Sequence, residues 1–71
     1  MSSKQLEQLV KMANQIALNT GAHTNAGDYA RRTGEHIQKF WTRAMQEKLT
    51  AHWREGGDGL EPVVVQALGE I

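Results

Sequence analysis

Leu6, Leu9, Val10, Ala13, Ile16 and Ala17 follow one another in steps of three, one, three, three and one. Those steps keep all six on one stripe of a 3.6-residue period, so an amphipathic helix is predicted over about residues 3–19. Ser2, with Gln5 three places later, fits a capping box at its start. Gly, Asn and Thr then crowd the stretch TGAHTNAGD (20–28). It reads as a loop, with Gly21 at the end of the first helix and Asp28, or Asn25, as the next N-cap.

From about 28 to 54 the apolar positions Thr33, Ile37, Phe40, Trp41, Ala44, Met45 and Leu49 again recur at helical spacing. On another face Asp28, Arg32, Glu35 and Lys39 alternate in sign, and Arg43 and Glu47 continue at the same spacing, which suits a solvated face laced with pairs one turn apart. Thr42 could cap a new helix, so one unbroken helix and a pair broken near 41–43 both stay open. GGDG (56–59) ends the run, since a Gly just past a helix takes a positive φ at no steric cost. LEPVVVQALGEI reads as a short last helix over about 61–69 with Pro62 in its first turn. The Val triplet is β-prone, but no second strand candidate exists to pair with it. The expectation is one small all-α domain over 1–71, a bundle of three to four helices with little or no β structure.

The chain has 71 residues. At that size only about 60% of the unfolded surface is buried, and a single core seldom supplies more than about 3–5 kcal/mol. Such chains are commonly reinforced by disulfides, metals or partners. Cys is absent, which excludes disulfides, thiolate-ligated clusters, Cys-type zinc sites and thiol catalysis. A partner subunit is the reinforcement left. Eight basic against eight acidic residues is poor equipment for nucleic acid or an anionic membrane, where clustered positive charge supplies most of the affinity. No apolar run approaches a membrane span, and MSSKQLEQ lacks the apolar stretch of a signal peptide. A soluble, cytoplasmic chain is expected.

Candidate chemistry is sparse. His23, His36 and His52 lie 13 and 16 residues apart, whereas two ligands on one helix normally sit three or four apart. Glu35 and His36 are consecutive and would point about 100° apart on a helix. GGDG follows a helix and lacks the Lys and Ser/Thr of a phosphate loop, as well as the ligand ladder of a calcium loop. Arg31, Arg32, Lys39, Arg43, Lys48 and Arg54 are interleaved with Glu35, Glu47 and Glu55, so no uniform positive face emerges. The aromatics lead further. Trp41 and Trp53, twelve residues apart, would differ by about 120° on one helix. Met12, Gln15, Gln8 and Asn19 form a second stripe on the first helix. Met and Trp are favoured at interfaces, and one thin bundle cannot easily cover all of them.

Three blocks in order, LVKMANQIA, HIQKFW and GGDGLEPVVVQAL, resemble the small delta subunit of NAD-dependent formate dehydrogenase. The resemblance covers nearly the whole chain apart from the loop around 20–28. In that family the aromatic pair tends to be followed by one residue and then Pro-Arg-Met. Here Thr42 is followed by Arg43, Ala44 and Met45. The missing proline weakens the case for a helix break, and no role of the family arginine passes to Arg43.

The resemblance implies a non-catalytic accessory subunit of a soluble, cytoplasmic complex, supporting assembly or stability of the active enzyme. A large subunit would carry the molybdenum or tungsten bis-guanine dinucleotide cofactor and iron–sulfur clusters. Further subunits would carry FMN and pass electrons to NAD, and this chain itself would hold no cofactor and no metal. Contacts to the partner are expected from Met12, Asn14, Gln15, His36, Phe40, Trp41, His52, Trp53, Gly57, Leu60 and Pro62. A Trp41 hot spot would cost about 2 kcal/mol or more of binding on truncation to Ala. The alternative is a self-contained helical homodimer acting as a small regulatory or DNA-binding protein.

Overall fold

The computed structural model describes residues 4–22 and 25–70, so the Ser2 cap and His23 lie outside the described residues. Helix α1 (Lys4–Gly21) is followed by a 3₁₀ turn (Ala26–Asp28), α2 (Tyr29–Phe40), α3 (Arg43–Arg54) and α4 (Pro62–Glu70). There is no strand among the described residues, and the Val triplet lies in α4.

The core follows from which side chains are small. α1 buries Leu9, Ala13 and Ala17, and α2 buries Ala30, Thr33, Gly34 and Ile37. Small residues let backbones approach, and α2 makes its most extensive packing with α4, which buries Val64, Ala67 and Leu68. Thr33 is fully buried, with its hydroxyl donating to the Tyr29 carbonyl at 2.8 Å, so that hydroxyl is not stranded. Leu49 is the residue that α3 buries completely. α1 touches all three other helices and closes the bundle. Gly21 ends α1 where the Tyr29 ring crosses it: a Cβ there would stand 2.7 Å from the Tyr29 ring. The radius of gyration is 11.2 Å, against about 11 Å for a compact chain of this length.

The long central helix is broken, and without a proline. Trp41 leaves helical geometry with φ −93° and ψ 146°, and Thr42 follows at φ −69° and ψ 158°. The Thr42 hydroxyl accepts from the Met45 amide at 3.2 Å, starting α3 as an N-cap. Gln46 donates to the Trp41 carbonyl at 3.1 Å, which the break would otherwise leave without a partner. A capping Thr therefore does what the missing proline was expected to do. The expected Asp28 cap is different. Asp28 makes no side-chain capping bond and instead accepts from Arg31 at 3.2 Å.

α3 ends in a Schellman motif, with Gly57 N donating to the His52 carbonyl at 3.0 Å and Gly56 N to the Trp53 carbonyl at 3.1 Å. Gly56, Gly57 and Gly59 all take positive φ, and Gly57 lies at +65° in the left-handed region. The chain then turns through Leu60 and enters α4 at Pro62, whose missing amide costs nothing in a first turn.

Candidate docking surface

The eleven residues expected at an interface divide sharply. Six of them have work inside the chain. Trp41 is 7% exposed and belongs to the core, against which Trp53 and Leu60 pack. The Trp53 indole bridges two glycines: a Cβ at Gly57 would lie 3.6 Å from its Cδ1, and one at Gly69 3.8 Å from its far edge. Gly57 is buried. Asn14 reaches from α1 across to the connection, donating through Nδ2 to the Gly59 carbonyl at 2.8 Å and accepting from the Glu61 amide at 3.0 Å. His52 Nε2 donates to the Asp58 carbonyl at 2.8 Å. Asn14 and His52 thus pin the 58–61 connection from two helices, using both groups of one amide and one imidazole N–H.

The other five face outward. Met12 is 37% exposed and Phe40 65% exposed, while Gln15, His36 and Pro62 are also exposed. Phe40 and Trp41 are neighbours in sequence with opposite fates. On a helix phased by Ala30, Thr33, Gly34 and Ile37, Phe40 falls about 70° from the centre of the buried stripe. Trp41, four residues after Ile37, falls only about 30° from that centre, and its amide still donates to the Ile37 carbonyl at 2.9 Å, so its indole is carried inward.

Phe40 is held, though exposed. Its ring centroid lies 4.6 Å from that of His36, one turn earlier, at an interplanar angle of 44°. Lys39 Nζ sits 5.6 Å from the Phe40 centroid, within cation–π range. Behind them runs an open groove of about 440 Å³ between α1 and α2. Ile16, Asn19 and Thr20 form its α1 wall, and Arg32, Glu35, His36, Lys39 and Phe40 its α2 wall. Met12 stands one turn before Ile16 on the same side of α1. Leu18, 66% exposed, lies on a different face beside Tyr29 and Lys11.

The charge pattern along α2 departs from the expected ladder. Arg31, which the alternating series passed over, takes both acids, pairing with Asp28 at 3.2 Å and Glu35 at 2.7 Å. The hydrogen bonds it donates to Asp28 and then to Glu35 raise its pKa above the ordinary guanidinium value. Arg43 pairs with Glu47 at 3.3 Å. Arg32 and Lys39, expected in that ladder, have no ion pair among the described residues. Both are exposed and both border the groove.

Among the described residues no three His, Cys, Asp or Glu side chains come together as a possible metal set, and no helix is long and apolar enough to cross a membrane. With no Cys in the sequence, the chain does not fit an iron–sulfur cluster. Compared with known families, residues 8–68 match the family described as the NADH-dependent formate dehydrogenase delta subunit FdsD. Neither the comparison with curated proteins nor that with solved structures gives a match.

Proposed function

We propose, from the premise that this chain belongs to the FdsD family of NADH-dependent formate dehydrogenase delta subunits, that it acts in that complex as a non-catalytic accessory subunit. It docks through its helices onto the molybdenum-containing catalytic subunit and supports its assembly or stability. The molybdenum or tungsten cofactor, the clusters, FMN and NAD are the business of the other subunits. Within the chain, the groups with chemical potential are engaged otherwise: His52 and Asn14 on backbone atoms of the connection, Glu35 and Asp28 on Arg31.

The observation that carries this reading, beyond the family, is the ordered aromatic pair His36–Phe40 on the surface of a chain with almost no spare aromatic material. Binding only the folded form of a partner stabilises it by RT ln(1 + [L]/Kd), about 2.7 kcal/mol at a hundredfold excess over Kd. A small subunit needs no catalytic group to raise the amount of active enzyme in this way.

The test is recovery of the tagged chain from its native host, with mass spectrometry of what accompanies it. A large molybdenum- and iron–sulfur-containing subunit with its flavin partner is the expected company. Recovery of this chain by itself as a stable, cooperatively melting oligomer would overturn the accessory role in favour of a self-contained dimer.

A further inference from the structure

We infer that the α1–α2 groove is the docking site for an acidic segment of the catalytic subunit, which lays an apolar side chain against Phe40 and carboxylates against Arg32 and Lys39. The inference rests on the accessory role proposed above and adds the surface and the chemistry of what binds there.

Three observations meet in this groove. The first is Phe40, 65% exposed yet braced by the tilted His36 ring and by Lys39 over its face. A pre-positioned ring loses little freedom when covered, which is the property of an interface anchor. The second is shape: the ring lines an open groove of about 440 Å³, whose α1 wall includes the half-buried Ile16. The third is charge. Among the described residues Glu35 is the one carboxylate lining the groove, and Arg31 already engages it at 2.7 Å. Among the described residues Arg32 and Lys39 are left as two cations without ion pairs, in a chain whose formal net charge is zero.

Covering a cation without supplying a partner is costly, and a hydrogen-bonded carboxylate offsets much of that cost. A surface that closes over Phe40 therefore has to bring acidic groups to both positions. Arg32 and Lys39 are seven residues apart on one helix, which sets a rise of about 10.5 Å between them. Carboxylates seven apart on a partner helix match that spacing, as do carboxylates about three apart on an extended strand. Leu18 on its separate face carries no comparable charge pattern, and nothing indicates what would cover it.

The test titrates the full-length chain and its variants against the purified catalytic subunit at several salt concentrations. Phe40→Ala is expected to weaken binding about tenfold or more. Arg32→Gln and Lys39→Gln should each weaken it several-fold, and together flatten its salt dependence. Arg43→Gln, on the exposed face of α3 and away from the groove, serves as the control and should bind as the unaltered chain does. All variants should keep the thermal melt of the unaltered chain, since each change is at the surface. Binding that is tight and salt-dependent in every variant overturns the groove while leaving the accessory role intact. Failure of the unaltered chain to bind the catalytic subunit overturns both. Two further results would also remove the acidic segment as occupant: capture of a labelled single-stranded oligonucleotide by the groove, or a self-associated chain that Phe40→Ala makes monomeric.

Discussion

The connection between α3 and α4 and the outer edge of α2 are built from the same kinds of residue and used in opposite ways. Each holds a histidine and aromatic or amide side chains close to a helix end. At the connection they are consumed: Asn14 and His52 bind the Gly59, Glu61 and Asp58 backbone, and Trp53 fills the space between Gly57 and Gly69. At the edge of α2, His36 and Phe40 bind each other and otherwise face solvent. A loop rich in glycine has backbone amides and carbonyls to satisfy and no side chains of its own to do it, so it draws on its neighbours. A helix edge has already satisfied its backbone and leaves its side chains free. Composition identifies aromatic and polar residues in both places, and the local backbone decides which are left over for another molecule.

The largest effect that could break this comparison comes from adjacent positions. Trp41→Ala removes a side chain 7% exposed and should cost about 3–5 kcal/mol. That is comparable to the whole stability expected of a chain this small. The isolated variant should therefore show largely unfolded circular dichroism at 25 °C. A native-like melt would mean that Trp41 is surface after all and that its loss tests docking first.

Next comes the connection itself. Asn14→Ala deletes two hydrogen bonds and should cost about 1–3 kcal/mol, read from urea midpoints. Hydrogen exchange at the Glu61 amide should accelerate before exchange in α2 does. Equal acceleration everywhere would show that the connection melts only with the whole molecule. Gly57→Ala, at φ +65°, should cost roughly 1–2 kcal/mol for the left-handed backbone alone. The new Cβ would meet Leu60 and Trp53 at 3.5 Å or more, an ordinary contact, so a much larger loss would point to packing instead.

Much of this was legible in the sequence, in proportion to how local the cause is. The stripe of Leu9, Ala13 and Ala17 shows in spacing alone because a helix repeats. The end of α3 shows in GGDG because positive φ selects glycine. The break at Trp41–Thr42 was only half legible. Thr42 marks it as a cap, but the anchoring bond from Gln46 to the Trp41 carbonyl depends on the break already existing. Pairings across the fold were not legible. Nothing in the chain ties Asn14 to Gly59 and Glu61, 45 and 47 residues away, or tells that Arg31 rather than Arg32 would hold Glu35. The groove inherits that blindness. Its α2 wall could be read as a solvated face, whereas its two unpaired cations follow from which arginine won the acids.

Thr42→Ala should cost about 1 kcal/mol as a lost N-cap, and Thr42→Ser, which keeps the hydroxyl, should restore most of it. Their melting curves sharpen the contrast between Phe40 and Trp41, because the cap starts α3 immediately after this pair of neighbours, one facing out and one facing in. If Thr42→Ala were stabilising, the two helices would be joining into one. Trp41, four residues after Ile37, would keep the buried face in such a helix, and the split between the neighbours would then follow from the helical phase and not from the break.

The smallest effect is the most pointed. Phe40→Ala in the isolated chain should shift stability by no more than about 0.5 kcal/mol in either direction, as truncations at exposed positions usually do. Its ring touches His36 and lies under Lys39, and neither contact reaches the buried cluster. Differential scanning calorimetry of the variant beside Trp41→Ala puts adjacent aromatic residues on one scale. A gap of several kcal/mol places the first outside the folding core and the second within it. A loss at Phe40 of 2 kcal/mol or more would instead make the α2 edge part of what holds the bundle together. Its exposed ring would then no longer be surface free to bind a partner, and weakened docking by the variant would have to be read as weakened folding.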